Sequence, residues 1–448
     1  MNEQELKYQR MTQPPVQGLI CKLAVPCIIS MLVTSFYNMA DTFFVGMLDN
    51  PSATGAVGVV FSAMAIIQAI GFFFGHGSGN YISRELGKRN YDEASNMAAT
   101  GFYSSMIAGL LICVFGQIFL DDLAYALGST DTILPFTRDY LRVILLGAPW
   151  MAGSLVLNNQ LRYQGSAHYA MVGIVSGAVL NIALDPLLIF YFDMGVAGAG
   201  WATIISQFVS FCILMVGCSK GSNIHIRISH IKFKWFYFRM IIHGGLPSLA
   251  RQCLASFATI CLNRAAGGYS DAAVAAMGIV QRVMMFGAST MIGFGQGFQP
   301  VCGFNFGAGL YKRVKDGFWF CIKLSFALLV LVAALLFIFA PQVVSWFQDD
   351  PEVIRYGALA LRFQCISFPA QSWIVMSNMM EQSIGRTASA TFLSAARQGI
   401  FFIPAIFVLK YFFDLTGVQL AQTVADLLTL ACAIPIHIHV LKTMEPKT

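Results

Sequence analysis

Long apolar stretches, each close to or above 20 residues, occupy most of this chain and leave only short polar joints between them. An α-helix needs about 20 apolar residues to cross the hydrocarbon core of a membrane. The stretches are too long for barrel strands and lack the alternation of apolar and polar residues typical of such strands. We therefore predict an all-α integral membrane protein with twelve transmembrane helices near residues 19–48, 53–76, 96–120, 139–160, 168–190, 196–217, 238–264, 272–300, 316–340, 356–380, 388–409 and 417–440.

The composition excludes most other classes of protein. Of the 448 residues, 57% are hydrophobic and 11% are charged, whereas charged residues make up about 25% of soluble proteins. A water-soluble enzyme, a disordered tail and a nucleic-acid module are all incompatible with these values. The sequence also contains no nucleotide loop of the G-x-x-x-x-G-K-[ST] type, no nucleophile beside a base and no metal-ligand cluster. We therefore expect neither an enzyme nor a resident cofactor.

Lys and Arg residues concentrate in every second joint, and the remaining joints are mainly acidic. The basic joints contain Lys7, Arg10, Lys22, Arg84, Lys88, Arg89, Arg162, Lys220, Arg227, Lys232, Lys234, Arg239, Lys312, Arg313, Lys315, Arg386, Lys442 and Lys447. The others contain Asp49, Asp121, Asp122, Asp131, Asp193, Asp349, Asp350, Glu352 and Asp414, with only Arg138, Arg355 and Lys410 among them. Because cytoplasmic loops are enriched in Lys and Arg, both termini are predicted to be cytoplasmic in a multi-pass protein of the cell (inner) membrane. The net charge of +6 then faces anionic lipids and not nucleic acid.

The chain repeats itself with an offset of about 220 residues. Corresponding positions include Pro26 and Pro247, Asn158 and Asn378, and Gly165 and Gly385. Each half contains six predicted helices, an even number, so both halves start on the same side of the membrane as a parallel repeat. We predict two pseudo-symmetric six-helix lobes at 1–217 and 238–448, joined by a cytoplasmic linker at 218–237. Two such lobes around a cleft are typical of transport by alternating access.

Two carboxylates lie at the same predicted depth in the N-terminal half. At 1.5 Å per helical residue, Asp41 and Asp185 are each roughly 10 Å from the acidic surface, and Thr203 shares that depth. Tyr37 precedes Asp41 by four residues, and Asn181 precedes Asp185 by four, so each pair lies on one helix face. A charge inside the membrane is costly unless it has a partner or faces a cavity, which makes this layer a candidate functional site.

The chemistry of this layer suits a hard cation or a shared proton. A set of oxygen donors from Asp41, Asn181, Asp185 and Thr203 favours sodium or a proton over zinc or copper. The alternative is that each carboxylate only forms a hydrogen bond within its own helix. Pro26 and Pro186 each remove a backbone hydrogen bond and are candidate hinges. Pro186 directly follows Asp185, whereas Pro26 lies nearer the cytoplasmic end of its helix.

The C-terminal half lacks an equivalent acid pair at these positions. It is predicted instead to bury Arg251, Arg282 and Arg397 near mid-membrane, with Asp426 as a partner. One interpretation is an internal network of ion pairs and hydrogen bonds that includes Gln252, Gln281 and Gln398. The other is a site for an anionic group on a substrate.

Several segments resemble the multidrug and toxic compound extrusion (MATE) family, closest to its DinF-like and MepA-type branch. The resemblance covers nearly the whole chain. The segments are SFYNMADTFFVG (35–46), SRELGKRNYDEA (83–94), NNQLRYQGSAHYAM (158–171), VLNIALDPLLIF (179–190), GLPSLARQCL (245–254), AAMGIVQRVMMF (275–286), QPVCGFNFGAG (299–309) and ARQGIFFIP (396–404). The resemblance implies a V-shaped, twelve-helix exporter that exchanges protons or sodium ions for amphipathic, usually cationic, drugs.

In similar proteins the cation site uses the residues that here are Tyr37, Asp41, Tyr140, Asn181, Asp185 and Thr203, and helix bending at the position of Pro26 accompanies protonation. Asn158 also matches that set, but its predicted depth places it near the cytoplasmic side. A Glu and Asp coupling pair, which one branch carries in its C-terminal half, is not apparent here.

The prediction is therefore a monomeric secondary active exporter of drugs or toxic metabolites in a lipid bilayer, coupled to H+ or Na+. The alternative function is a flippase for lipid-linked sugars or another anionic amphiphile, which the buried arginines would favour.

Overall fold

The computed structural model describes residues 3–48 and 50–444, and these residues form helices and connecting segments without any strand. Sixteen α-helices follow one another along the chain. They are α1 Glu3–Thr12, α2 Val16–Gly46, α3 Pro51–Gly87, α4 Tyr91–Ile118, α5 Leu120–Ala126, α6 Leu134–Tyr163, α7 Ala167–Pro186, α8 Gly195–Cys218, α9 Trp235–Gly267, α10 Asp271–Gly307, α11 Tyr311–Ile338, α12 Ala340–Ser345, α13 Pro351–Ser367, α14 Ala370–Ile384, α15 Thr387–Ala395 and α16 Phe402–Thr443.

The twelve predicted transmembrane helices are present in this set. Nine helical segments of the described residues are long and apolar enough to cross a membrane, and one of them, Thr387–Thr443, has 57 residues. Asp414 lies inside that segment with φ 50° and ψ −134°, so the chain turns there and two spanning helices result. The remaining two are α9, which is rich in arginine, and the α13–α14 pair, which is interrupted at Phe368 and Pro369. The short helices α1, α5 and α12 lie in the joints.

The internal repeat is visible in equivalent hydrogen bonds. Asn158 on α6 donates its side-chain amide to the backbone oxygen of Ala170 at 3.1 Å. Asn378 on α14 does the same to Ala390 at 2.6 Å, and both donor and acceptor are 220 residues further along the chain. The two lobes, α2–α8 and α9–α16, therefore share an internal packing scheme.

One end of the molecule, which we call the basic end, carries α1, the segment 219–234 and the joints after α3 and α10. Segment 219–234 packs on the first lobe, since the backbone N–H of Ile224 donates to Gln164 Oε1 at 2.8 Å. Helix α1 and the residues that follow it reach the second lobe, since the side-chain amide of Asn305 donates to the backbone oxygen of Met11 at 3.1 Å. Helix α3 runs the length of the lobe to the opposite, acidic end.

Close backbone contacts join the two lobes near the basic end. A Cβ atom at Gly87 would collide with the backbone oxygen of Phe304, and one at Gly307 would collide with the backbone oxygen of Arg84. These contacts are reciprocal under the repeat, because Gly87 corresponds to Gly307. Two further close contacts of the same kind join Gly77 to Ile241 and Gly297 to Ala24. Only glycine allows helices to approach so closely. The contacts of Gly77, Gly87, Gly297 and Gly307 therefore close the space between the lobes near the basic end, and we call them the seal.

Candidate functional site

Asp41 lies inside the first lobe and forms a hydrogen bond to another helix. Its side chain is 3% exposed, and its Oδ2 accepts a hydrogen bond from the Tyr140 hydroxyl of α6 at 3.2 Å. Tyr37, one helical turn earlier on α2, is also buried. The second carboxylate oxygen, Oδ1, has no hydrogen-bond partner among the described residues. A buried carboxylate oxygen without a donor can accept a proton or a cation.

Asp185 lies on α7 within the same lobe and is fully buried. When the Asn181 amide is oriented to satisfy both of its groups, it donates to Asp185 Oδ2 at 3.2 Å and accepts from the backbone N–H of Thr203 at 3.2 Å. Asp185 Oδ1 has no hydrogen-bond partner in the described part of the chain. The chain directly after Pro186 forms a π-helix at Leu187–Tyr191, so this proline marks a local change of helix geometry.

The six residues that sequence reasoning grouped together lie in one region. Asp41 and Asp185 are close enough to interact electrostatically, and Tyr37 and Tyr140 each interact with both carboxylates. Asn181 bridges Asp185 and Thr203. Asp41 bonds to a different helix, so for this carboxylate the alternative of a bond only within its own helix is wrong. Asp185 does bond within α7, to Asn181. The site offers carboxylate, amide and hydroxyl oxygens; their role in coupling stays a prediction.

A cavity of about 310 Å³ lies between the lobes, next to these residues. Tyr37, Asn181 and Thr203 form part of its lining, while Asp41 and Asp185 lie behind them. The second lobe contributes Gln252 and Ser289. The volume is within the range of small-molecule sites, which begin at about 300 Å³. The carboxylates do not line the cavity themselves, but Tyr37 and Asn181, each one helical turn from one of them, do.

The cavity ends at the glycine contacts that join the lobes. His76 on α3 and Gln296 on α10, which are equivalent under the repeat, line its end. The next residues, Gly77 and Gly297, belong to the close contacts near the basic end. The cavity therefore lies on the acidic side of that seal.

Asn158 occupies the part of the cavity nearer the basic end. Its hydrogen bond to Ala170 fixes its height on α7, and Asn181 lies 11 residues further along that helix, about 16 Å away along the axis. Asn158 therefore lies nearer the basic end than Asp41 and Asp185 do, as its predicted depth indicated.

Arg162 was expected in a cytoplasmic joint, and that expectation is wrong. Helix α6 continues to Tyr163, three residues beyond the predicted end at 160, so Arg162 is 3% exposed and lines the cavity. Its guanidinium donates to Asn159 Oδ1 at 2.6 Å and lies 3.2 Å from His76 Nε2. His76 was not predicted as a site residue either, although a histidine at the end of an apolar stretch could have indicated one.

The three arginines of the second lobe have three different environments. Arg251 lines the central cavity and is partly buried. Arg397 forms an ion pair with the buried Asp426 at 2.8 Å. Arg282 is exposed, so the expectation that it is buried is wrong; it does not line the cavity, although it lies on the same face of α10 as Met285 and Ser289, which do.

The predicted glutamine network around these arginines is only partly present. Asp426 accepts hydrogen bonds from Arg397, Gln422 and Ser367. Gln281 and Gln398 line a separate cavity of about 170 Å³ beside Arg397, whereas Gln252 lines the central cavity.

A second buried carboxylate of this lobe, Glu381, escaped the sequence analysis. Glu381 Oε1 lies 3.4 Å from His437 Nδ1, and both side chains are fully buried. His437 stacks on Phe318 with ring centroids 4.0 Å apart. Glu381 lies one residue beyond the predicted helix end at 380, whereas helix α14 continues to Ile384. Among the described residues, no group of three or more His, Cys, Asp or Glu side chains could hold a metal ion.

The ion pair between Arg397 and Asp426 gives a stability prediction. We expect Asp426→Ala to destabilise the fold by about 3 kcal/mol, because Arg397, only 23% exposed, would lose its counter-charge. The double variant Asp426→Leu with Arg397→Leu should be markedly more stable than the single variant, because no charge is left unpaired. Thermal unfolding of purified protein measures both, with the exposed Asp316→Ala as control. Equal melting temperatures for Asp426→Ala and the control would contradict the prediction.

Comparison with known proteins places the chain in a family. The family model MatE matches it twice, over residues 26–187 and 247–408, one segment in each lobe. The chain is 28% identical to the multidrug export protein MepA of Staphylococcus aureus (strain MSSA476), over 95% of this chain and 94% of that protein. It is also 28% identical to MepA of Staphylococcus haemolyticus (strain JCSC1435), over 90% and 89% of the two chains.

Solved structures agree with this assignment. A structure of a multidrug resistance MATE family transporter in an outward-facing conformation superposes with a TM-score of 0.91 at 26% sequence identity, covering 97% of this chain and 98% of the other. The twelve-helix, two-lobe fold predicted from the sequence is confirmed by this similarity. Both the repeated sequence match and the shared fold lead to one conclusion: the chain belongs to the MatE family of multidrug and toxic compound extrusion transporters.

Proposed function

We propose that this transporter exports amphipathic, mainly cationic compounds across the cell (inner) membrane in exchange for protons or sodium ions, by alternating access. The observation that carries this proposal is the position of Asp41 and Asp185. Each has an unpartnered oxygen, the two interact with each other, and both lie directly behind residues that line the cavity between the lobes. The basic end, including both termini, would face the cytoplasm.

The hydrogen bonds of the site suggest how an ion and a drug compete. A proton or sodium ion on the carboxylates would change the partners of Tyr140 and Asn181, and Asn181 also lines the cavity. The bound ion would thereby alter the surface that a drug contacts. A ligand shifts a conformational equilibrium only by its difference in affinity for the two states, so this shared surface supplies the coupling. Pro26, inside the continuous helix α2, remains the proposed hinge.

The seal at the basic end corresponds, in this orientation, to a cavity that faces outward. Export then requires the reciprocal glycine contacts at Gly87 and Gly307 to separate so that the cavity can load from the cytoplasm. The solved outward-facing relative supports this assignment by its similarity.

Ion-coupled dye transport in proteoliposomes tests the proposed function. Purified protein is reconstituted with ethidium inside the vesicles, and a proton or a sodium gradient is imposed separately. We expect one of the gradients to accelerate ethidium release above that of protein-free vesicles and of vesicles without a gradient. Release that is the same in all three preparations under both gradients would refute the proposal.

A further inference from the structure

The central cavity contains positive charge without a matching negative charge in its lining. Arg162 from the first lobe and Arg251 from the second both line it. No Asp or Glu side chain among the described residues does so. Two arginines would weaken the binding of an organic cation in this cavity, because like charges repel strongly where water is scarce.

Arg162 is built into the cavity wall. Asn159 and His76 hold its guanidinium, and neither of these partners is an acid. Its Nε is buried and has no hydrogen-bond partner among the described residues. An arginine stays charged in a protein, so this guanidinium is a buried cation with unused hydrogen-bonding capacity.

Arg251 has even fewer partners for its guanidinium group. Across the described parts of the chain it forms no ion pair and no hydrogen bond, unlike Arg397, whose carboxylate partner lies 2.8 Å away. Arg251 is close enough to interact electrostatically with Arg162, Tyr163 and His76. Two unpaired arginines therefore meet from opposite lobes at the same end of one cavity, an arrangement that an anion would stabilise.

We propose that Arg162 and Arg251 form a binding site for the carboxylate or phosphate group of an amphipathic substrate. The inference rests on the proposed export function and adds to its substrates compounds that carry an anionic group beside their apolar or cationic part. The cation of a zwitterion would then lie toward Asp41 and Asp185, nearer the acidic end, and its anion toward the two arginines. Arginine suits this role because its planar fork donates two parallel hydrogen bonds to a carboxylate or phosphate.

A pair of dyes that differ in one group tests the site. Rhodamine 110 carries a free carboxylate, and rhodamine 123 is its methyl ester on the same cationic ring system. Binding of each dye to the full-length protein in phosphatidylcholine nanodiscs is measured by fluorescence polarisation. We expect rhodamine 110 to bind about tenfold more tightly than the ester, as charge-assisted hydrogen bonds would provide.

Three variants connect this preference to the site. In Arg251→Gln the ratio of the affinity for rhodamine 110 to that for rhodamine 123 should fall to about one, since the guanidinium group and its charge are removed. Arg251→Lys should retain part of the ratio, because the charge remains without the fork. Arg264→Gln removes an exposed arginine of α9 that lies outside the cavity lining, on the face opposite Arg251, and should keep the full ratio.

The outcomes separate this inference from the function on which it rests. An equal affinity of the wild-type protein for both dyes, or a ratio unchanged in Arg251→Gln, would overturn the anion site. Ethidium has no anionic group, so its gradient-driven release still tests export independently. If added phosphatidylglycerol competes with rhodamine 110 but not with the ester, the site is supported and it accepts a lipid phosphate.

Discussion

Asp41→Asn is expected to abolish ion-coupled export while leaving the protein folded. The amide cannot take up a proton at physiological pH, and it offers a sodium ion only a neutral oxygen in place of a carboxylate. The substitution keeps the size of the side chain and still presents an oxygen to the Tyr140 hydroxyl, which lies 3.2 Å from the carboxylate. Gradient-driven ethidium release and drug resistance of expressing cells should therefore fall to the level of cells without the transporter.

Asp139→Asn is the matched control for this experiment. Asp139 precedes Tyr140 on α6 but is exposed, so the same change of charge occurs beside the site without touching it. The control should transport normally, and both variants should elute and unfold like the wild-type protein. Normal resistance with Asp41→Asn would refute a coupling role for this carboxylate, whereas a shifted melting temperature would indicate a structural role.

Gly87→Val is expected to prevent the lobes from closing at the basic end. The added side chain would collide with the backbone oxygen of Phe304, which cannot move aside as a flexible side chain could. Overpacking of this kind costs about 1–3 kcal/mol. Since 1.4 kcal/mol corresponds to tenfold, the sealed state would lose about one to two orders of magnitude in population, and transport should fall with it.

Distances between spin labels on the two lobes report this change. Labels at Lys88→Cys and Lys312→Cys, both exposed at the basic end, are introduced after the exposed Cys212 and Cys253 are replaced by serine. The Gly87→Val protein should show a longer distance than its parent. Gly58→Val is the control, because Gly58 lies on the same helix and a Cβ there meets nothing within 4 Å. Unchanged distances and transport in Gly87→Val would show that these contacts do not limit closure.

The apolar stretches and the repeat were sufficient to predict the fold. Membrane helices satisfy their backbone groups internally, so length and hydropathy alone define most of them. The errors fall at helix ends, where the boundary depends on neighbouring helices and not on hydropathy. Arg162 and Glu381 each lie within three residues of a predicted end, and both belong to buried helix in the structure.

Asp41, Asn181 and Asp185 were also predictable, because a polar side chain inside an apolar helix is costly and rarely accidental. Tyr140 was included only through the family resemblance. The chain by itself thus determined the twelve helices, the two lobes and the acid layer of Asp41 and Asp185. Only the tertiary structure decided which groups meet: that Tyr140 binds Asp41, that Arg397 and not Arg282 pairs with Asp426, and that Arg162 and Arg251 share one cavity. The reason is that helical periodicity fixes where a side chain lies on its own helix, whereas the rotation and approach of neighbouring helices depend on packing between positions far apart in sequence.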